Sequence, residues 1–121
     1  MADLTLDTRT VRDVAVLYPR GHVNAHTVKD FEGGLLELIG DGRVRIVVSG
    51  DGLKYISSAG LGALMGVIEE ARSQDGDIRL SDLCESVYNV FDILGFTHLF
   101  KIFDTEEEAL RSFSGAELNA D

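Results

Sequence analysis

The sequence predicts an α/β domain: a mixed, mostly parallel β-sheet of four to five strands packed with about four helices. Two observations predict it. VRIVVSG, Val44 to Gly50, is a continuous β-branched run of the kind found in a strand buried on both faces. Around it, segments with apolar residues at helical spacing alternate with short strand-like runs, and parallel strands joined in this way take right-handed helical crossovers.

Each element follows in order. Thr5 to Thr10 and Val14 to Leu17 read as strands paired across the polar Arg12-Asp13 turn, with the single proline, Pro19, ending the second. In GHVNAHTVKDF, Asn24 is the expected N-cap of a helix that carries Val28, Phe31, Leu35, Leu38 and Ile39 on one face. Gly33-Gly34 weakens this helix and GDGR closes it. After the central strand, Gly50 to Ala59 reads as a loop. It leads into a helix from Ala59 to Gln74 with Leu61, Leu64, Met65 and Ile68 at i, i+3, i+4 and i+7, and with Glu69, Glu70, Arg72 and Gln74 on its solvated side. DIRLS is a short strand. A third helix follows with Cys84, Val87, Phe91 and Leu94 on one stripe and Gly95 at its C′ position. LFKIF, Leu99 to Phe103, reads as the last strand, and Thr105 to Glu108 form a capping box for a final helix through Leu110 and Phe113. Residues 1–115 form one domain in this reading, and 116–121 a frayed tail.

Composition narrows the function. A chain of 121 residues with 45% hydrophobic and 26% charged residues is one globular domain's worth of sequence. No apolar run approaches the roughly 20 residues of a membrane span, and MADLTLDTRT lacks the pattern of a signal peptide. A cytoplasmic protein is expected. Eleven Lys and Arg against 21 Asp and Glu give a formal charge of −10, which repels nucleic acid and anionic lipid alike. The single cysteine, Cys84, excludes an internal disulfide and reads as a small buried hydrophobe.

The stretch that asks for an explanation is YISSAGLGALMG, Tyr55 to Gly66, where two serines stand between a strand-like pair and a helix. Catalysis finds little support. A dinucleotide fingerprint starting at Gly60 and Gly62 needs a third glycine at the position of Met65, and no lysine follows as in a phosphate loop. Gly62 and Gly66 instead suggest a shallow helix side that another backbone can approach. A nucleophile elbow needs glycines two before and two after the serine; Ser58 has Ile56 and Gly60, and Ser57 has Tyr55 and Ala59. His22 and His26 are four apart but separated by the expected cap, and no metal site is predicted from them. No cofactor is expected. One of the two serines caps the helix, because a hydroxyl there accepts from the free N–H groups of the first turn. The same N–H groups and the helix dipole would stabilise a phosphate on a serine at this place, adding about −1.5 to −2 charges while leaving the fold intact.

Three blocks resemble the STAS domain family (sulphate transporter and anti-sigma factor antagonist), and in particular its free-standing bacterial anti-sigma factor antagonists. They are RGHVNAHTVKDF, VRIVVSGDGLKYISSAGLGALMG and VYNVFDILGFTHLFKIFDTEEEAL, and together they span most of the chain. The resemblance implies a binding module and not an enzyme. It implies that the unphosphorylated protein binds an anti-sigma factor that is also a serine kinase, that the kinase phosphorylates a loop serine, and that a serine phosphatase reverses this. Aligned on Gly60-Leu61, the phosphoacceptor falls on Ser58, with Ser57 as second choice. The partner-binding surface implied comprises His22, Asn24, His26, Ser57, Ser58, Ala59, Gly60, Leu61 and Gly62. Ser57 and Asn24 stand where many members carry Asp, and Ala59 where they carry Ser or Thr. The loss of two carboxylates beside the acceptor removes repulsion against a phosphate and also removes a possible proton acceptor. It motivates an alternative: a non-switching STAS scaffold, or a regulatory subunit of a signalling particle or lipid transporter. A monomer or weak dimer is expected.

Overall fold

The computed structural model describes residues 3–119, with side chains through residue 113. Strands β1 (Leu4–Val11) and β2 (Val14–Val23) form an antiparallel hairpin that turns at Arg12-Asp13, as the sequence predicts. Helix α1 (Val28–Gly40) crosses to β3 (Arg45–Ser49), and β4 (Leu53–Ile56) leads into α2 (Ser58–Ser73). Then come β5 (Asp77–Ser81), α3 (Glu85–Ile93), a 3-10 turn (Phe96–His98), β6 (Ile102–Phe103) and α4 (Glu106–Asn119). The sheet order is β1-β2-β3-β5-β6, β4 adds to β2, and every pairing except β1–β2 is parallel.

Alternation along β3 divides the core in two. Ile46 and Val48 face the larger cluster under α1, α2 and α3, where Leu17, Phe31, Leu64, Ile78 and Phe91 are also buried. Val47 faces the other way, into a small cluster of Val14, Val16, Ala109 and Phe113 under α4. This is the two-sided burial expected of a central parallel strand. On the α4 side, Arg79 lies 4.0 Å above the Phe113 ring, bonds Asp77 at 2.9 Å and donates to Ser112 Oγ at 2.7 Å. A cation over an aromatic face, held by a buried carboxylate, pins α4 to the sheet.

Several expectations are corrected. The sheet has six strands, because Leu53–Ile56, read as loop, is β4. Its buried residues are Leu53 and Ile56, three apart, and the partner register shifts at Gly21/His22, so no strand alternation shows in the sequence. Strand β2 continues past Pro19. Pro19 is tolerated because β2 pairs with β3 through Leu17 and with β4 only from Gly21, so the missing N–H costs no bond on that side. The last strand shrinks to Ile102–Phe103; Phe100 instead turns inward, edge-on to Phe91 at 6.0 Å. Cys84 is exposed as the N-cap residue of α3, and Leu94 and Met65 are exposed rather than on the buried stripes. Arg72 is not merely solvated, since it bonds Asp77 at 2.9 Å and the Leu99 carbonyl at 2.8 Å.

Other local signals appear as read. Gly95 takes the left-handed conformation (φ +79°) at C′ of α3. Thr105 Oγ1 accepts from the Glu108 amide at 3.1 Å while Glu108 accepts from the Thr105 amide at 3.2 Å, a reciprocal capping box. The backbone of α4 reaches Asn119; of the tail expected over 116–121, residues 120–121 lie outside the described residues.

Candidate functional site

The site is assembled by two turns that follow neighbouring parallel strands, β2 and β4. Such turns beyond the carboxyl ends of strands are where α/β sheets carry their sites. Parallel pairing sets His22 beside Tyr55 and Val23 beside Ile56, and the Ser57 amide donates to the Val23 carbonyl at 2.8 Å.

The first turn is held by Asn24, although not as the predicted helix cap. Its Oδ1 accepts from the amides of His26 (2.9 Å) and Thr27 (3.2 Å), and α1 begins only at Val28. Thr27 Oγ1 in turn donates to the His22 carbonyl at 2.7 Å and accepts from the Asn24 amide at 2.9 Å. An Asn side chain closing a turn onto amides two and three residues on is an Asx-type arrangement. Thr27, buried and central to it, carried no signal in the sequence beyond its spacing of three from Asn24.

The second turn gives the two serines different roles. Ser57 is the N-cap of α2, extended in backbone (φ −88°, ψ 171°), with Oγ accepting from the Gly60 amide at 3.3 Å. Ser58 is the first helical residue and is exposed. Gly60 is buried against the strands: a Cβ there would lie 2.7 Å from Val23 Cγ1 and 2.8 Å from Ile56 Cγ1. Leu61 belongs to the core. Of the nine residues implied as partner-binding, His22, His26, Ser58, Ala59 and Gly62 are exposed, Asn24 and Ser57 are half-buried, and Gly60 and Leu61 face inward.

Next to Ser58 the exposed side of α2 carries small residues, Ala59, Gly62 and Gly66. Gly62 and Gly66 have no atom of the described residues within 4 Å of a notional Cβ, so the expected close backbone approach does not occur among these residues and the shallow side of α2 lies open to them. Met65 lies exposed beside Gly66, and Tyr55, 48% exposed, stands beside the His22 ring at 6.4 Å between centroids. Neither was singled out from the sequence: Tyr55 sat in a presumed loop without a motif role, and Met65 matched the apolar stripe of the helix. The first turn of α2 contains no acidic residue, so the positive end of its dipole is not offset from within the helix. The amides of Ser58 and Ala59 have no acceptor inside the helix, as at any helix start.

Among the described residues no three His, Cys, Asp or Glu side chains are grouped to hold a metal ion. No helix among them is long and apolar enough to cross a membrane. The chain's one cysteine lies nearby, behind β4: Cys84 Sγ is 3.8 Å from the Leu53 carbonyl oxygen. The Ser86 hydroxyl, with the amides at the start of α3, pulls its thiol below the ordinary range.

Comparison with known proteins bears on the fold and the family. The STAS domain model matches residues 5–109. The candidate anti-sigma factor antagonist BtrV of Bordetella bronchiseptica is 33% identical over 113 residues, covering 93% of this chain and 96% of that protein. Among solved structures, the candidate anti-sigma factor antagonist TM1081 of Thermotoga maritima superposes with a TM-score of 0.84 at 23% identity, covering 88% of this chain and 92% of its own. SpoIIAA, an anti-sigma factor antagonist, does so at 0.70 in its unphosphorylated form, with 23% identity and coverage of 93% and 98%. Its phosphorylated form, from Bacillus, gives 0.69 with 22% identity and coverage of 91% and 98%. With a family match over most of its length and a relative at this identity, the chain belongs to the STAS domain family.

Proposed function

We propose that the protein is an anti-sigma factor antagonist that binds a serine-kinase anti-sigma factor when unphosphorylated and is released when Ser58 is phosphorylated. The observation that carries this reading is the division of labour at α2: Ser57 holds the helix end, which leaves the Ser58 hydroxyl exposed and structurally uncommitted. A modified Ser58 would therefore change the surface without removing the cap.

The docking surface comprises Ser58, Ala59, Gly62 and Met65 on α2, flanked by His22, His26 and Tyr55, and Asn24 and Ser57 shape the turns beneath. A smooth patch of small residues with one flexible thioether suits close packing of a partner. A phosphoryl dianion at Ser58 is tolerated by the free chain, because it sits at the amino end of a helix with no acid in its first turn. Once the site is covered, the same dianion must be desolvated, which costs binding. SpoIIAA, which shares this fold, is solved in a phosphorylated form, which supports the reading. A serine phosphatase would reset the switch.

The experiment is to incubate the protein with its cognate kinase and ATP and to map the phosphate by mass spectrometry. Incorporation lost in Ser58→Ala supports the assignment; incorporation that persists moves it to Ser57 or elsewhere. A second reading, a non-switching scaffold or regulatory subunit, is favoured by the neutral groups at Asn24 and Ser57. Tight binding to the kinase with no incorporation would select it.

A further inference from the structure

We propose that the protein self-associates as a two-fold dimer through the outer edge of β1, the two copies pairing antiparallel about Thr8. Strand β1 closes one side of the sheet and pairs only with β2 among the described residues. It is eight residues long, LTLDTRTV, with neither proline nor lysine. Such an edge is a template for another strand unless it is shortened, bulged, covered or guarded by charge, and the charges here, Asp7 and Arg9, are of opposite sign. The opposite edge shows the contrast: β6 has two residues and is preceded by the exposed Lys101.

The register fixes which backbone groups are free. Val11 and Val14 flank the two-residue turn, so they form a hydrogen-bonded pair, as do Arg9, Asp7 and Thr5 with their partners on β2. Pro19, which has no N–H to give, falls opposite Leu6 in the alternate, non-bonded set, as this phase requires. The amides and carbonyls of Leu4, Leu6, Thr8 and Thr10 therefore point away from β2.

A second copy of this strand fits that row. Antiparallel pairing centred on Thr8 sets Thr8 against the partner's Thr8 and Leu6 against the partner's Thr10, all with outward backbone groups. It also sets Asp7 opposite the partner's Arg9 and Arg9 opposite the partner's Asp7, two opposite-charge cross-strand pairs in a chain whose net charge of −10 otherwise opposes self-association. Both side chains are exposed in the free chain: Asp7 lies 3.8 Å from Arg20, and Arg9, 57% exposed, already touches Glu106. On the α1 side, a groove of about 570 Å³ bounded by Leu6, Thr8, Gly34 and Leu38 leaves the strand accessible. An eight-residue edge buries less than the ~1,600 Å² of a standard stable interface, so the dimer is concentration-dependent. Ser58 takes no part in it, and the dimer stands or falls independently of the switch.

Sedimentation velocity of the full chain over a dilution series tests this. The wild type should pass from monomer to dimer as concentration rises. Thr8→Pro, which removes an outward N–H that β2 does not use, should abolish the dimer, and Asp7→Lys should raise its dissociation constant about tenfold or more through like-charge apposition. Register is read separately in a Cys84→Ser background: on mild oxidation Thr8→Cys should cross-link as a homodimer, because bonded antiparallel Cα pairs lie about 5.5 Å apart, whereas Thr5→Cys should not. If Thr8→Pro fails to fold, the Asp7→Lys and cross-linking arms decide. A wild type monomeric at every concentration, or a dimer indifferent to Asp7→Lys with cross-links equal at both positions, overturns the proposal.

Discussion

The amide of Ser57 donates to the carbonyl of Val23 at 2.8 Å, so the turn that opens α2 is fastened to the last residue of β2. One bond thereby joins the two turns of the candidate site, and the exposed Ser58 rides on a framework fixed from below. The stability of that framework and the chemistry of the exposed serine can be tested separately.

The two serines should separate in a stability measurement. Ser57→Ala removes the cap and should lower stability by about 1 kcal/mol, or roughly 4 °C in Tm for a domain of this size. Ser58→Ala removes an exposed hydroxyl and should stay within about 0.5 kcal/mol of wild type. Thermal unfolding followed by circular dichroism reads both, and equal losses would contradict the assignment of Ser57 as the cap.

Gly60 and Gly62 should differ in the same way. A methyl at Gly60 meets Val23 and Ile56 at less than 3 Å, and overpacking of this kind costs about 1–3 kcal/mol. Gly62→Ala meets nothing and should stabilise the helix by roughly 0.5–1 kcal/mol. Because Gly62 lies on the proposed docking face, the same Gly62→Ala variant should weaken kinase binding even as its Tm rises.

Asn24 acts through its side-chain oxygen as an acceptor of two amides. Asn24→Asp keeps that acceptor and should retain wild-type stability, whereas Asn24→Ala should lose about 1 kcal/mol. Urea unfolding midpoints compare them directly.

Cys84 should react faster than an ordinary surface thiol at neutral pH. Its thiol is lowered first by the Ser86 hydroxyl and then by the amides at the start of α3. A lowered pKa leaves more thiolate at a given pH, so the alkylation rate should fall only at more acidic pH than for a free cysteine. Ser86→Ala should move the midpoint of the rate–pH profile upward. A midpoint unchanged by the substitution would show that the hydroxyl is not the cause.

Much of this was legible in the sequence because it is local. The capping box at Thr105 and Glu108, the left-handed Gly95 and the two-sided Val44–Gly50 run are each specified by residues within a few positions of one another. The family match over residues 5–109 likewise agrees with the motif blocks. In the sheet, what was not legible depends on contacts distant in sequence. Strand β4 exists because it adds to the end of β2, and its inward residues, Leu53 and Ile56, follow a bulged register and not simple alternation. Pro19 is admitted to β2 by a gap between two partner strands. At the site, the sequence placed Asn24 at a helix start, but Thr27 and the His22 carbonyl draw it into a separate turn. Cys84 and Met65 looked buried by composition and spacing, and only the packing of α2 and α3 leaves them outside.

The central claim is tested most directly by titrating wild type, Ser58→Ala and Ser58→Asp against the cognate serine-kinase anti-sigma factor by isothermal calorimetry. The switch predicts that Ser58→Ala binds within about threefold of wild type, a surface-substitution effect, and that Ser58→Asp binds at least about tenfold more weakly through burial of its unpaired charge. Equal affinity of Ser58→Asp and Ser58→Ala would contradict it.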